Sequence, residues 1–238
     1  MARIPGLERA LAYQRDSEQQ LIDGTPDELR QLSRAPEPWA LKDLIGHVTA
    51  WRADLMDLIN GRGPGRPQDD EEALDRENAR IFDELRRQSW EVVHADWQAA
   101  LAEAAEWLKS SSEDDLENDE AGWQYGRPAW RHFVSTIILH PHLHLLEHWR
   151  EAGEVEQADR AEAEMGDLLL QIDSSPDWAG VVNYNRACYR AQAGQTEAVL
   201  SLLAKAFEAA PRLRSLARQD PDLESVRGLE GFHALVAD

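Results

Sequence analysis

The sequence contains little cysteine and lacks long apolar runs. Its 238 residues include one cysteine, Cys188, so no disulfide can form within the chain and nothing indicates a secreted scaffold. No apolar run approaches the roughly 20 residues that a membrane helix needs. The N-terminal stretch has no apolar core long enough for a signal peptide. These absences predict a cytoplasmic protein that does not enter membranes.

Positive charge is also scarce. Lys and Arg together number 25 against 45 Asp and Glu, which gives a formal net charge of -20. A surface this acidic repels the phosphates of nucleic acids and the head groups of anionic lipids. The charge balance therefore predicts a protein without nucleic-acid or membrane partners.

Sequence patterns typical of β-strands are also missing, because β-branched residues never cluster into alternating runs. Ala, Leu, Glu, Arg and Gln dominate instead, which favours an all-α fold. Apolar residues at steps of three and four predict long helices over residues 6–23, 39–60, 90–109 and 129–151. Shorter helices are predicted after Thr25 and over 73–88. Residues 1–152 are therefore expected to form a four-helix bundle.

Two long loops interrupt this pattern, at residues 61–72 and 110–128. Loops of this length in a bundle either cross between helices that are not adjacent or cover a site. Trp123 and Tyr125 lie in the second loop, and we expect them to line the entrance if a site lies beneath it.

Histidines mark the candidate site. His140 and His144 are four residues apart, so they share one helix face about 6 Å apart along the axis. A helix supplies two nitrogens to one metal ion in this way, although the same spacing also arises by chance. His47 lies on the apolar face of helix 39–60 and needs a partner for its ring nitrogens, which a metal on the facing helix would provide. Three neutral histidines with an open position suit zinc, nickel or divalent iron.

The residues next to His140 and His144 give weaker indications of a role in the site. His142 is predicted to point away from His140, towards solvent. His148 is expected to support the site or to remain unbound rather than to act as a fourth ligand. Pro141 cannot donate a hydrogen bond to residue 137, which predicts either a kink or a helix that begins there.

Asp43 precedes His47 by one helical turn, and it is the candidate catalytic residue. Its carboxylate either orients His47 or acts as a base. Two other roles are open: it can cap the helix, or it can pair at the surface with Lys42 or Arg52.

The last third of the chain, residues 153–238, has a different character. After a helix predicted over 154–173, residues 183–211 resemble one tetratricopeptide repeat, with Gly194 at the turn and Pro211 at the end. A single repeat cannot bury its own face. We therefore expect this helical hairpin to dock on the preceding helix, on the bundle or on a protein partner.

Three segments resemble known proteins. Residues 38–55, PWALKDLIGHVTAWRADL, are similar to the second-helix signature of DinB-like proteins. Residues 75–108 resemble the ClbS/DfsB branch of that superfamily. The HPHLH sequence at 140–144 resembles the H-x-x-x-H motif of its last helix. Together the resemblance covers roughly residues 5–152.

The resemblance implies a four-helix bundle with a long crossover, often dimeric. It also implies a divalent metal ion held by His47, His140 and His144, although the ClbS/DfsB branch is not uniformly metal-dependent. Many members are thought to be hydrolases or thiol-dependent transferases that act on electrophilic or toxic small molecules. We therefore expect such an enzyme with a small-molecule substrate. The alternative is a binding protein that uses the repeat-like segment, with the bundle as scaffold or sequestering pocket.

Overall fold

The computed structural model describes residues 2–35, 39–63, 71–118 and 128–237. These residues form helices and no strands, as the sequence predicted. The chain divides into two compact units. The first is Leu7–Ala158, and the second combines Met1–Gly6 with Asp159–Asp238.

Four long helical segments build the first unit, and they match the four long helices of the prediction. In chain order its elements are α1 (Ile4–Gly24), α2 (Asp27–Arg30), α3 (Leu41–Ile59), α4 (Glu71–Leu85), α5 (Trp90–Ser110), α6 (Glu113–Leu116), α7 (Ala129–His132), a π-helix (Phe133–Leu139) and α8 (His140–Glu151). Helix α6 falls in the predicted second loop, where the Ser112 hydroxyl caps it.

Helix α3 is the centre of this unit. It packs against α4, α5, the π-helix and α8. Most of its residues from Leu41 to Arg52 are buried, and they include charged and polar side chains as well as apolar ones. A helix buried on most sides belongs to the core, so polar groups on it must find partners inside the protein.

The Leu85 side chain of α4 packs directly on Gly46 of α3. A Cβ atom added at Gly46 would come within 2.2 Å of Leu85 Cδ2. Only a residue without a side chain allows this approach. The close packing brings Phe82 of α4 next to α3.

The helix predicted over 129–151 is one continuous helical segment, but its middle turns are π-helical from Phe133 to Leu139. Pro141 lies in the first turn of α8, directly after the π-helix. Proline is tolerated in the first turn because it has no N–H to contribute. π-Helical turns are rare and occur frequently at functional sites.

The second unit is also helical. Its elements are α9 (Val155–Leu170), α10 (Pro176–Gln192), α11 (Thr196–Ala209), α12 (Leu213–Ala217), a 3₁₀-helix (Pro221–Val226) and α13 (Glu230–Val236). Helices α10 and α11 form a hairpin whose turn contains Gly194 with φ of 72°. Phe207 of α11 and Phe232 of α13 are buried in one core with it. Among all described helices, none has the length and apolar character required to cross a membrane.

Candidate metal centre

Three histidines from two helices converge in the first unit. The Nε2 atom of His140 lies 3.2 Å from Nε2 of His47 and 3.0 Å from Nε2 of His144. One ligand nitrogen from each ring lies within 4.8 Å of the other two. His47 is only 2% exposed, whereas His140 and His144 are half-buried. The structure thus brings together the three residues that the sequence singled out as metal ligands.

Aromatic rings surround this cluster. The Trp39 ring lies 4.8 Å from the ring centroids of both His47 and His144. Phe82 stacks on His47 at 5.6 Å and 14°, and Trp51 meets His140 edge-on at 5.8 Å. Apolar rings on several sides keep water from these nitrogens and fix the orientation of the imidazoles.

Burial determines the charge of the central histidine. Burial, together with the smaller effects of the nearby His144 and Arg52, lowers the pKa of His140 from 6.5 to about 3. The His140 ring is therefore neutral at physiological pH. A neutral imidazole has a lone pair on one nitrogen, which is the form that binds metal ions.

Glu147 sets the tautomer of His144. The Nδ1–H group of His144 donates a hydrogen bond of 3.2 Å to Glu147 Oε2. This leaves the lone pair on Nε2, which is the atom that faces His140. The side chains of His144 and Glu147 are 23% and 60% exposed, so the cluster is open to solvent on this side.

A buried ion pair lies behind the cluster. Arg52 donates to Glu18 at 2.8 Å and 2.7 Å, and both side chains are 0% exposed. Trp97 Nε1 and Gln14 Nε2 also donate to Glu18, at 2.7 Å and 2.8 Å. Arg52 further donates from Nε and Nη2 to the Ile137 carbonyl, both at 3.2 Å. The pair therefore connects α1, α3 and α5 to the π-helix.

The prediction that His142 faces solvent was wrong. Its side chain is 2% exposed, and Nδ1 lies 2.8 Å from Gln14 Oε1. Because the Gln14 amide nitrogen donates to Glu18, its oxygen is the acceptor and His142 donates. The face of α8 opposite to His140 packs on α1 rather than on water, and the periodicity of one helix cannot show this.

Asp43 has a capping role. Its carboxylate accepts hydrogen bonds from the backbone N–H groups of Arg34, Ala35 and Ala40, and from the Ser33 hydroxyl. These contacts attach the preceding loop to the first turn of α3. Capping was one of the roles that the sequence left open, and surface pairing with Lys42 or Arg52 is not what the structure shows. The Lys42 ammonium donates to the Gln88 carbonyl instead.

A second group of candidate ligands lies in the other unit, where Cys188, Asp220 and Asp222 approach one another. Its groups already have partners. Tyr184 donates to Asp220 at 2.7 Å, and Gln192 donates to Asp222 at 2.9 Å. Burial raises the pKa of the Cys188 thiol, so it stays protonated. Cys188 is buried in the core of the second unit, where its thiol packs among apolar side chains.

Sequence reasoning missed several residues around the centre. Trp39 and Phe82 contact the histidine rings. Trp39 precedes α3, and Phe82 lies on the short helix predicted over 73–88, so no shared pattern in the sequence connects them to the histidines. Glu18 and Arg52 gave no signal because a pair of opposite charges on different helices has no sequence pattern. His148 is not among the converging histidines. Trp123 and Tyr125 lie outside the described residues.

Comparison with known proteins gives one match. The model of a family described as the DinB superfamily matches residues 10–148, which is more than half of the chain and contains all three histidines. No curated protein and no solved structure matches.

Proposed function

We propose that this chain, which belongs to the DinB superfamily, is a metal-dependent enzyme that acts on a small molecule as a hydrolase or thiol-dependent transferase. His47, His140 and His144 would hold one divalent ion through their Nε2 atoms. The convergence of these three nitrogens carries the proposal. The superfamily is typically metal-binding, which supports it.

The donor set fits a metal ion. Ligands at about 2.0–2.1 Å around a tetrahedral ion lie about 3.3 Å from one another. The measured Nε2 separations of 3.2 Å and 3.0 Å are close to this value. Three imidazoles suit zinc, nickel or divalent iron, and the ligand type alone does not select among them.

The surrounding residues prepare the site for chemistry. His47, His140 and His144 would hold such an ion, which would supply Lewis acidity that lowers the pKa of a water molecule or thiol. The His144–Glu147 hydrogen bond holds the imidazole in the metal-binding tautomer. Phe82 stacks on the buried His47, whereas the His144 side chain is 23% exposed, so a substrate would enter near His144. Asp43 supports the site by fixing the start of α3, one turn before His47.

A second candidate function is a binding protein that recognises a protein partner through the second unit. The α10–α11 hairpin with its Gly194 turn favours it, because helical hairpins of this kind occur in repeat proteins. The assignment to the ClbS/DfsB branch, the tetratricopeptide-like character of the hairpin and a homodimer stay predictions from the sequence.

Metal analysis separates the two functions. Inductively coupled plasma mass spectrometry on untagged protein is expected to find about one divalent ion per chain, and none in the His140→Ala/His144→Ala variant. His148→Ala is the matched control, because His148 lies on the same helix outside the cluster, and this variant should keep its metal. Wild-type protein that is metal-free and takes up neither zinc, nickel nor ferrous iron would contradict the metalloenzyme and favour the binding protein.

A further inference from the structure

The π-helix next to the candidate metal centre has an unusual hydrogen-bond partner. The last π-helical bond runs from the His140 N–H to the Ser135 carbonyl, and α8 begins at His140. Where α-helical pairing resumes, the carbonyl of residue 137 would accept from the N–H of residue 141. Residue 141 is proline and has no N–H. The Ile137 carbonyl accepts instead from the Nε and Nη2 groups of Arg52, both at 3.2 Å. An arginine of α3 thus replaces a hydrogen bond that the helix cannot make for itself.

Arg52 is itself held in place. Its two terminal nitrogens donate to the two oxygens of Glu18, and Trp97 and Gln14 supply further donors to the same carboxylate. A carboxylate can accept about four hydrogen bonds, so these four bonds occupy all the acceptor positions of Glu18. The guanidinium is planar and its donors are fixed relative to one another. The carboxylate therefore determines where Arg52 presents its remaining donors.

The same network reaches the other side of His140. Gln14, which donates to Glu18, also accepts from Nδ1 of His142 at 2.8 Å. The helical segment is thus attached three residues before His140, through the Ile137 carbonyl, and two residues after it, through His142. Both attachments lead to the Glu18 carboxylate.

We infer that Arg52, oriented by Glu18, is a positioning residue that fixes the π-helical turn and so sets where His140 and His144 present their Nε2 atoms. The inference rests on the proposed metal-binding function and adds residues that do not touch the ion. A buried ion pair adds little to folding stability, since well-packed apolar residues often replace it without loss of stability. Its value here lies in geometry, because Arg52 forms the bond that Pro141 cannot.

The test compares zinc affinity in three forms of the full chain. The first is the wild type and the second is Glu18→Met/Arg52→Met, which removes both charges together and so leaves no single buried charge. The third adds Pro141→Ala, which returns an N–H that can bond the Ile137 carbonyl. Zinc affinity is measured by competition with a chromogenic chelator, and thermal unfolding of the metal-free forms is measured in parallel.

We expect the double variant to fold and to bind zinc about 10–100-fold more weakly, which is typical when groups that support ligands are lost. Adding Pro141→Ala should restore at least part of this loss. The control is Glu162→Met/Arg190→Met, which removes two opposite charges from the ion-pair network of the second unit, where Glu162 also pairs with Arg186 and Arg190 also pairs with Asp159. It should change the unfolding temperature but not the zinc affinity.

Unchanged zinc affinity in the double variant would overturn the inference and leave the pair a purely structural role. A loss of affinity that Pro141→Ala does not restore would also overturn it, because Arg52 would then not act through the Ile137 carbonyl. If the wild type binds no zinc, the proposed function fails separately. Hydrogen exchange of the backbone amides of residues 133–144 in the metal-free forms then tests the inference about Arg52. Faster exchange in the double variant, slowed again by Pro141→Ala, would support the positioning role. Unchanged exchange would overturn it.

Discussion

The Nε2 atoms of His47 and His140 lie 3.2 Å apart, although 93 positions separate the two residues in the chain. The two nitrogens meet only when α3 and α8 have packed against each other. A ligand that binds this arrangement binds the folded chain and not the unfolded one. Binding of a metal ion at the three histidines would therefore be coupled to folding of the first unit.

Zinc should accordingly raise the melting temperature of the metal-free protein. At a free zinc concentration of 100 times the Kd, the stabilisation is about 2.7 kcal/mol. His47→Ala should abolish the shift measured by calorimetry, because it removes the only one of the three ligands that α3 provides. His94→Ala is the control, since His94 stacks between Trp90 and Trp97 outside the cluster and should leave the shift intact. An equal shift in the His47→Ala variant would show that zinc binds elsewhere.

The stability of the metal-free protein should fall on acidification because of His140. Its pKa is lowered from 6.5 to about 3 on folding, mainly by burial. Between these values the unfolded chain binds a proton that the folded chain does not, so the free energy of unfolding decreases as pH falls, by up to about 1.4 kcal/mol per pH unit. Urea titrations between pH 6.5 and 4 measure this slope.

His140→Asn removes the titrating ring, and carboxylates contribute equally to both proteins. The slope of the variant should therefore be shallower than that of the wild type across this range. Identical slopes would mean that the His140 ring takes up a proton in the folded state at its ordinary pKa.

Trp39 should slow the release of a bound ion. Its ring lies 4.8 Å from both His47 and His144, so it covers the cluster at the point where both rings meet. Trp39→Ala is expected to speed zinc transfer to an excess of chelator by about tenfold, the effect of removing about 1.4 kcal/mol from a barrier. Trp178→Phe, in the second unit, should not change the rate. Equal release rates in the Trp39→Ala variant and the wild type would show that the ring does not shield the site.

Gly46 should be intolerant of substitution. A Cβ atom there would lie 2.2 Å from Leu85 Cδ2 and would displace this buried side chain. Gly46→Ala should cost about 1–3 kcal/mol, the usual effect of overpacking. Gly24→Ala is the matched control, because a Cβ atom at Gly24 has nothing within 4 Å and should be neutral or slightly stabilising. Equal melting temperatures for the two variants would contradict the close packing of α3 and α4.

The sequence predicted the long helices well because their apolar residues recur at helical spacing. Helix α3 was expected over 39–60 and spans Leu41–Ile59, and α5 was expected over 90–109 and spans Trp90–Ser110. The convergence of His47, His140 and His144 was also predicted, since the spacing of two ligands on one helix and an inward third limited the choices. The family resemblance made the same three residues stand out.

What the sequence did not show are features that depend on contacts between helices. Arg52 was considered for the surface because charged residues are almost never fully buried unless paired. Its partner Glu18 lies on another helix, and no periodicity in either helix reports the pairing. Pro141 predicted a kink or a helix start, but the sequence did not predict the π-helix before it, and no pattern within one helix reports the contact between Arg52 and the Ile137 carbonyl.

The π-helix has a consequence for anyone who grafts this segment into another scaffold. Each π-helical ring encloses one residue more than an α-helical ring, so Phe133–Leu139 shifts the side chains that follow by roughly one residue, or about 100°. An ideal α-helix built from residues 129–151 would keep Trp130 and Phe133 in the core but rotate His140 and His144 away from His47. A designed protein that copies only the histidine spacing would therefore lack the site, whereas one that copies the wider turn and an arginine opposite to it would retain the convergence.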